Sequence, residues 1–373
     1  MHKSKKKILP QLLKIFFLLF FISLISGGIF AKFSKNKVSS TSNPITQDYS
    51  TDMAETEEIE MMSPVTPSLQ KDAPHSISIA ALRVREFPAS EIILDEKLPD
   101  GDRHERLLVH YTSDGLKINA LLTIPSGESP KGGWPAIIFN HGYIPPHQYK
   151  TTERYVAYVA GFARNGYIVL RPDFRGHGDS EGVATGGYGS NDYTIDVLNA
   201  LSALKIHPKV NPEKIGMWGH SMGGHITLRS MVVDKSIKAG VIWGGVVGSY
   251  AEMLYNWRSR VGFTPPPITG FNRRWRVELV EKYGTPEVNP DFWNSLSSTS
   301  FLKDISGPVQ LHHGEKDESV PVEFSRSLDT RLREASKTVE TFVYKGDDHD
   351  ITANFGVAMR RSVEFFDRYL KTQ

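Results

Sequence analysis

One short segment limits the folds available to this chain more than any other. Residues 214–228 read "KIGMWGHSMGGHITL", and within them Ser221 lies between Gly219 and Gly223 in the pattern Gly-x-Ser-x-Gly. An apolar run that suits a strand precedes the serine, and a helical pattern starts at Gly223. A serine at such a junction lies on a sharp, strained turn, where neighbouring chains approach too closely for a Cβ atom on the flanking residues. The segment therefore predicts a sheet that presents one hydroxyl at its carboxyl edge.

The rest of the chain alternates between strand-like and helix-like patterns. A hairpin is predicted first, with its turn at Ser113-Asp114-Gly115. The buried strands that follow are predicted in "WPAIIFNHG", "YIVLRPDFRG", "KIGMWG", "AGVIWGG", "PVQLHHG" and "VETFVYKG". Helical patterns separate them, so we expect an α/β fold with a mostly parallel central sheet and helices on both faces.

Residues 247–306 interrupt this alternation between two predicted strands. They contain short amphipathic stretches and the tryptophans Trp257, Trp275 and Trp293. An insertion at this place is expected to form a helical cap above the sheet. Its aromatic side chains either pack a small core of the cap or line a substrate pocket, and the sequence leaves both interpretations open.

The first 75 residues have a different composition. In residues 1–31 a lysine cluster precedes the apolar stretch Ile15–Ala31, as in a secretory signal peptide or an uncleaved signal anchor. Residues 32–75 are rich in Ser, Thr and Pro without a hydrophobic period, and predict a flexible spacer. We therefore expect residues 76–373 to be a catalytic domain that is exported, either secreted or attached to the membrane by its N-terminal segment.

Charge and cysteine content exclude several classes of function. Residues 1–37 hold eight lysines and no acidic residue, so the remainder carries 36 basic and 42 acidic side chains and gives no reason to expect a nucleic-acid partner. The chain has no cysteine, which excludes disulfides and thiolate metal sites. No spaced set of His, Asp and Glu suggests a metal, and no cofactor is expected. The sequence does not indicate an oligomeric state.

A serine hydroxyl is a weak nucleophile until a base accepts its proton. In strand–turn–helix hydrolases an acid and then a histidine follow the serine in the chain. The loop after "PVQLHHG" offers Glu315, Asp317 and Glu318 as the acid, and the loop after "VETFVYKG" offers His349 as the base. The remaining histidines near strand ends, among them His220 and His313, need only packing or supporting roles.

Two backbone N–H groups are candidates for an oxyanion hole, which stabilises the developing negative charge by roughly 3 kcal/mol per donor. Met222 follows the nucleophile at the start of a helix. Tyr143 follows His141-Gly142 in "NHGYIPP", after the strand "WPAIIFNHG". Simple aromatic packing beside the pocket is the alternative role for the Tyr143 ring.

Five segments occur in an order that resembles the α/β-hydrolase superfamily, and within it the catalytic domain of the prolyl oligopeptidase family of serine peptidases. They are "NHGY", "DFRGHGDSEG", "GHSMGGH", "HHGEKDESVP" and "YKGDDHD", and the resemblance covers roughly residues 105–372. It implies an α/β-hydrolase fold and hydrolysis through an acyl-enzyme, with Ser221, Asp317 and His349 as the catalytic triad. Asp317 is preferred to the two glutamates because "HGEKDESVP" resembles the acid loop of these hydrolases.

The chain also departs from that family. Prolyl oligopeptidases commonly carry an N-terminal β-propeller, and the roughly 30 residues between the spacer and the first catalytic strands are too few for its blades. Together with the cap, this makes the chain similar to single-domain feruloyl and cinnamoyl esterases. We therefore expect a serine hydrolase of small-molecule or short peptide substrates, cleaving peptide, aminoacyl or ester bonds. A capped carboxylesterase is the alternative, and a non-catalytic binding module on the same fold is a weaker one.

Overall fold

The structure is a computed structural model, and it describes residues 74–257 and 271–372. The predicted signal or anchor segment, nearly all of the predicted spacer and residues 258–270 of the predicted cap lie outside this part of the chain. Within it, none of the helices has the length and hydrophobicity needed to cross a membrane.

The described part of the chain contains strands and helices in the alternating order that the sequence predicts. The strands are β1 (Ile93–Gly101), β2 (His104–Ser113), β3 (Leu116–Pro125), β4 (Trp134–Asn140), β5 (Ile168–Pro172), β6 (Val210–His220), β7 (Gly240–Trp243), β8 (Val309–Gly314) and β9 (Val339–Tyr344). The helices are α1 (Ile79–Arg83), α2 (Val156–Ala163), α3 (Asp192–Lys205), α4 (Met222–Val233), α5 (Tyr250–Tyr255), α6 (Phe271–Tyr283), α7 (Pro290–Leu296), α8 (Val322–Glu334) and α9 (Phe355–Phe366).

These strands form one sheet in the order β1-β2-β3-β5-β4-β6-β7-β8-β9. The first three pair antiparallel with one another, and β3 pairs antiparallel with β5. From β5 to β9 every neighbouring pair is parallel. The predicted α/β-hydrolase fold, with a mostly parallel sheet, is confirmed, and the carboxyl ends of the parallel strands lie along one edge.

Alternate residues of the parallel strands pack on opposite faces of the sheet. In β4, Ala136 and Ile138 belong to one apolar cluster, together with side chains of α3, α4 and α8. Ile137 and Phe139 belong to the other cluster, together with side chains of α2 and α9. A strand that is covered on both faces reads as a continuous apolar run, which is why these strands were recognisable in the sequence.

The described part of the insertion consists of α5, α6 and α7, followed by a 3₁₀ turn over Ser298–Asp304. Ser249 begins α5 with a capping box, in which its hydroxyl accepts the Glu252 N–H and the Glu252 carboxylate accepts the Ser249 N–H. Trp275 and Trp293 are buried in the same cluster as α3 and α4. The insertion therefore extends the core on that face of the sheet.

Two elements were not predicted from the sequence. The strand β1 is largely exposed and polar, and it forms the antiparallel edge of the sheet. The short helix α1 lies before it and buries Ile79 and Leu82. The predicted hairpin is confirmed, because β2 and β3 are antiparallel and pair from His104 with Pro125 to Ser113 with Leu116.

Candidate active site

Ser221 is the single residue between β6 and α4, and its backbone is strained. Its φ is 55° and its ψ is −118°, a region that side chains other than glycine rarely occupy. The Ser221 N–H donates to Trp243 O at 3.0 Å, which ties the turn to the end of β7. A Cβ atom on Gly219 would lie 2.3 Å from Gly223 O, and one on Gly223 would lie 1.9 Å from Asn140 O. The strained turn and the need for both glycines are as the sequence predicts.

Asp317 lies in the loop after β8, and its two carboxylate oxygens have different partners. Oδ1 accepts the backbone N–H groups of Ser319 and Val320, both at 2.8 Å. Oδ2 lies 2.6 Å from His349 Nδ1 and 3.0 Å from His313 Nε2. Burial raises the pKa of Asp317, but the hydrogen bonds with His313 and His349 outweigh it and hold the pKa well below its usual value. Asp317 is therefore a buried carboxylate that accepts a hydrogen bond from His349.

His349 lies in the loop after β9, and the neighbouring Asp347 holds that loop in shape. The Asp347 carboxylate accepts backbone N–H groups from Asp348, Ala353 and Asn354 at 3.0–3.1 Å. These bonds fix the turn that leads into α9, so Asp347 has a local structural role.

Ser221 and His349 line the same cavity, which has a volume of about 780 Å³. Within the described part of the chain, Ser221 Oγ and the His349 imidazole do not form a hydrogen bond. In hydrolases without bound substrate such contacts are often long and shorten on binding. The other residues of the cavity wall are Gly142, Tyr143, Ile144, Arg154, Tyr155, Ala157, Tyr158, His220, Asp350, Thr352 and Phe355.

The two backbone donors predicted from the sequence are close to Ser221. Met222 is the first residue of α4, so its N–H has no acceptor within the helix. Gly142 O accepts a hydrogen bond from the buried His141 Nδ1 at 2.7 Å. Because the C=O and N–H of a trans peptide point in opposite directions, the Tyr143 N–H points away from the His141 ring. Tyr143 itself is exposed and lines the cavity.

The three tryptophans of the insertion do not line this cavity. Trp293 is buried and its indole N–H donates to Gly284 O at 3.0 Å. Trp275 is buried against Tyr188 and Tyr250. Neither ring lines the cavity of Ser221 and His349, and both pack the core beneath the insertion. A role of these tryptophans in substrate binding stays a prediction.

Trp257 differs from the other two tryptophans because it contacts the loop that carries the acid. Its indole N–H donates to Ser319 O at 2.8 Å, two residues after Asp317. The ring is partly buried and does not reach the cavity wall. It supports the acid loop and does not line the pocket.

The sequence predicts Tyr143 beside the pocket but not the other three aromatic rings of the cavity wall, Tyr155, Tyr158 and Phe355. The wall contains Tyr143, Tyr155, Tyr158 and Phe355, and the rings of Tyr158 and Phe355 pack edge-to-face with centroids 4.7 Å apart. Tyr155 and Tyr158 lie in one of the helical patterns between the predicted strands, and nothing local to the sequence shows that α2 begins beside the cavity of Ser221. Among the described residues, no group of three or more His, Asp or Glu is arranged to hold a metal ion.

The chain is similar to known hydrolases in sequence and in structure. The model of the prolyl oligopeptidase family, peptidase S9, matches residues 153–373. The uncharacterized peptidase YtmA of Bacillus subtilis is 27% identical over 264 residues, which cover 69% of this chain and 91% of that protein.

Solved structures of a peptidase and of an esterase share the fold. Acylaminoacyl peptidase of Pyrococcus horikoshii superposes with a TM-score of 0.56 at 25% identity, covering 72% of this chain and 42% of that chain. Est1E from Butyrivibrio proteoclasticus with bound ferulic acid gives a TM-score of 0.53 at 21% identity, covering 70% of this chain and 98% of that chain. This chain thus spans less than half of the peptidase and nearly the whole of the esterase.

Proposed function

Because the chain belongs to the prolyl oligopeptidase family and is a serine hydrolase, we propose that Ser221, His349 and Asp317 are its catalytic triad. Ser221 Oγ attacks the substrate carbonyl carbon while His349 Nε2 accepts the hydroxyl proton. The leaving amine or alcohol departs with that proton, and an acyl-enzyme remains on Ser221. Water then attacks the ester with His349 again as base, and Ser221 recovers its proton. Asp317 keeps the proton of the neutral imidazole on Nδ1, which leaves Nε2 free to accept.

The observation that carries this proposal is the 2.6 Å contact between His349 Nδ1 and Asp317 Oδ2, next to a strained serine at the same cavity. A carboxylate whose pKa is held low stays charged at neutral pH and stabilises the imidazolium that forms during the reaction. The Met222 and Tyr143 N–H groups complete the proposal as the oxyanion hole. Each is expected to stabilise the tetrahedral intermediate by roughly 3 kcal/mol.

We propose amide and aminoacyl bonds as the substrate class. Membership of a peptidase family supports this choice, and so does the similarity to acylaminoacyl peptidase and to the uncharacterized peptidase YtmA. The cavity of about 780 Å³ can accept a short peptide or an acylated amino acid. Arg154 and Asp350 place one charge of each sign on its wall, and the rest of the wall includes four aromatic rings.

A carboxylesterase is the second candidate function, and two observations favour it. The aromatic wall of Tyr143, Tyr155, Tyr158 and Phe355 suits a flat apolar acyl group. In addition, this chain matches Est1E, which was solved with ferulic acid, over nearly all of that protein's length. An alcohol leaves more readily than an amine, so an esterase needs less assistance at the leaving group.

The proposal also includes export of the protein. Its support is the lysine cluster that precedes an apolar stretch in residues 1–31. Mass spectrometry of the N-terminal peptide of the mature protein shows whether the signal is cleaved. The distribution of the protein between membrane and medium shows whether an uncleaved segment acts as an anchor.

The substrate class is tested with matched chromogenic substrates and the full chain. Wild type and Ser221→Ala are compared on p-nitrophenyl esters and on aminoacyl p-nitroanilides that carry the same acyl groups. Ser126→Ala is the matched control, because Ser126 is exposed at the end of β3, far along the chain from the proposed triad. Anilide cleavage that depends on Ser221 supports the peptidase, and cleavage of esters alone supports the esterase. Cleavage by Ser221→Ala at the wild-type rate would refute the proposed mechanism.

A further inference from the structure

Three hydrogen bonds at the cavity wall connect the two loops that complete the proposed site. The Gly142 N–H donates to Tyr155 Oη at 3.0 Å. Tyr155 Oη lies 2.8 Å from His220 Nδ1, and His220 Nε2 lies 3.2 Å from His349 O. We name Tyr155 and His220 the Tyr155–His220 bridge. At one end it holds the His141–Gly142 peptide, which precedes the peptide that carries the Tyr143 N–H, and at the other it holds the backbone of His349.

The donor and acceptor at each step of the bridge follow from chemistry. A backbone carbonyl only accepts, so His220 Nε2 carries the hydrogen that points to His349 O. In the neutral ring Nδ1 is then an acceptor, and Tyr155 donates its hydroxyl hydrogen to it. The Tyr155 oxygen remains free to accept the Gly142 N–H. Each of the three hydrogen bonds therefore has one donor and one acceptor. The donated hydrogens all point along the bridge from Gly142 towards His349 O.

The neutral form of His220 is a property of its surroundings. The ring is buried, and burial together with the nearby His349 lowers the pKa of His220 to about 3. The Asp350 carboxylate lies 3.5 Å from His220 Nε2 but is well exposed to solvent. Burial of the ring outweighs the hydrogen bond to the His349 backbone and the charge of Asp317, which both raise the pKa of His220, and the imidazole keeps one hydrogen at neutral pH.

The backbone at Tyr155 is strained, and a buried arginine side chain fixes its conformation. Arg154 and Tyr155 both have positive φ, 53° and 52°, directly before α2 begins. The buried Arg171 donates to Arg154 O at 2.7 Å and also to Thr151 O. Two consecutive left-handed residues persist only where the surrounding structure fixes them. The fold therefore sets the position of the Tyr155 hydroxyl.

We propose that Tyr155 and His220 are positioning residues that keep the Tyr143 N–H and the His349 imidazole aligned with Ser221. This inference rests on the proposed triad and oxyanion hole. The loop after β4 supplies the oxyanion donor and the loop after β9 supplies the base, and the two are about 200 residues apart in the chain, so alignment requires a physical link between them. The bridge is such a link, and it also contributes to the cavity wall.

Tyr155→Phe removes the central hydroxyl and keeps the ring that packs against Phe139 and Tyr158. We expect kcat to fall about 10- to 100-fold with KM changed less than twofold, because misalignment affects the transition state more than substrate binding. Tyr167→Phe is the matched control, because it also removes a tyrosine hydroxyl. Tyr167 directly precedes β5, at the end opposite the carboxyl edge of the sheet, and its hydroxyl donates to Asp367 at 2.6 Å. Rates are expressed per site titrated with a fluorophosphonate, so that misfolded protein does not contribute.

Substitutions of His220 provide a second, independent test. His220→Gln keeps an N–H donor near the position of Nε2, whereas His220→Leu has a similar bulk and no donor. We expect the glutamine variant to retain several-fold more kcat per titrated site than the leucine variant. Adding Tyr155→Phe to His220→Leu should lower kcat little further, since both changes break the same link.

The outcomes distinguish this inference from the proposed function. If Ser221→Ala is inactive but Tyr155→Phe has the wild-type kcat per titrated site, the triad stands and the positioning role is overturned. Equal kcat values for His220→Gln and His220→Leu would also overturn it. If Ser221→Ala retains full activity, the proposed mechanism fails and the inference fails with it.

Discussion

Ser221 illustrates how much of the chemistry is decided by single residues. Its strained φ of 55° is stabilised by a hydrogen bond to β7 and by two glycines that allow backbone contact. Asp317 and His349 lie 32 positions apart in the chain and meet at 2.6 Å because β8 and β9 are parallel neighbours. The sequence motif predicted these residues, since each follows a strand that ends at the same edge.

At this scale Asp317→Asn is expected to lower kcat by about 10³- to 10⁴-fold. The new amide would keep an acceptor for the Ser319 and Val320 N–H groups and turn its NH₂ group towards His349. It would then donate to His349 Nδ1 and move the imidazole hydrogen to Nε2, where the proton of Ser221 must be accepted. Steady-state rates on the best ester or anilide measure the loss.

Glu315→Gln is the control for this substitution, because Glu315 lies in the same loop and only accepts the exposed Gly346 N–H. Its kcat should stay within about twofold of wild type. If kcat fell by a comparable factor in both variants, the loop would be sensitive to any change, and the assignment of Asp317 as the acid would be contradicted.

At the scale of elements, the strands and turns that can be predicted from the sequence are those that local residue patterns determine. Strands buried on both faces read as apolar runs, and the strand–turn–helix around Ser221 has its own motif. The edge strand β1 was missed because its residues are exposed and polar and carry no such run. Tyr155, Tyr158 and Phe355 were not predicted in the cavity wall because residues 143–158 and 349–355 meet only through the order of strands in the sheet.

The insertion shows why aromatic content alone is a poor guide to a pocket. Trp275 and Trp293 occur in amphipathic helices, and the sequence does not determine whether such a ring faces the core or the site. In the fold they pack against Tyr250 and the α3–α4 face. The simpler interpretation, packing, is the one that the structure supports for these two side chains.

The packing of α4 against β4 makes Gly223→Ala a severe change. A Cβ atom there would lie 1.9 Å from Asn140 O, and neither backbone can move without displacing the turn of Ser221. We expect the free energy of unfolding to fall by about 3 kcal/mol or more, with loss of activity. Urea denaturation followed by tryptophan fluorescence measures the change.

Gly356→Ala is the matched substitution in α9, where a Cβ atom has no neighbour within 4 Å. It should leave activity unchanged and raise stability by up to about 0.5 kcal/mol, since alanine favours the helix. Equal stability and activity of Gly223→Ala and Gly356→Ala would contradict the close packing of α4 against β4 at the turn of Ser221.

At the scale of the whole molecule, one buried carboxyl group makes stability depend on pH. Asp173 is fully buried after β5 and accepts hydrogen bonds from Tyr149 and Thr151. Burial raises the pKa of Asp173 to about 7, against a partial offset by these bonds and by Arg171. The folded protein therefore holds a proton on Asp173 that the unfolded chain releases at a lower pH.

The sign of the resulting pH dependence follows from proton binding. Below about pH 4 both states are protonated at this carboxyl and its effect on stability is absent. Between about pH 4 and pH 7 only the folded state keeps the proton, so the free energy of unfolding falls as pH rises. A pKa shift of about three units lowers the free energy of unfolding by up to about 4 kcal/mol in total, and this decrease is complete above about pH 7.

Asp173→Asn removes this titration. We expect the difference in free energy of unfolding, wild type minus variant, to fall between about pH 4 and pH 7 and to be constant above that range. Urea denaturation at several pH values measures it, and subtracting the variant cancels the other titrating groups. A difference that is constant with pH would contradict the raised pKa of Asp173.

The central claim is that Ser221 is an activated nucleophile, and covalent labelling tests it most directly. The full chain is treated with a fluorophosphonate and digested with trypsin, which yields residues 215–229, a peptide whose only serine is Ser221. We expect one phosphonyl adduct per molecule on this peptide, absent from Ser221→Ala and from heat-denatured wild type. An adduct on another peptide, or equal labelling of Ser221→Ala, would contradict it.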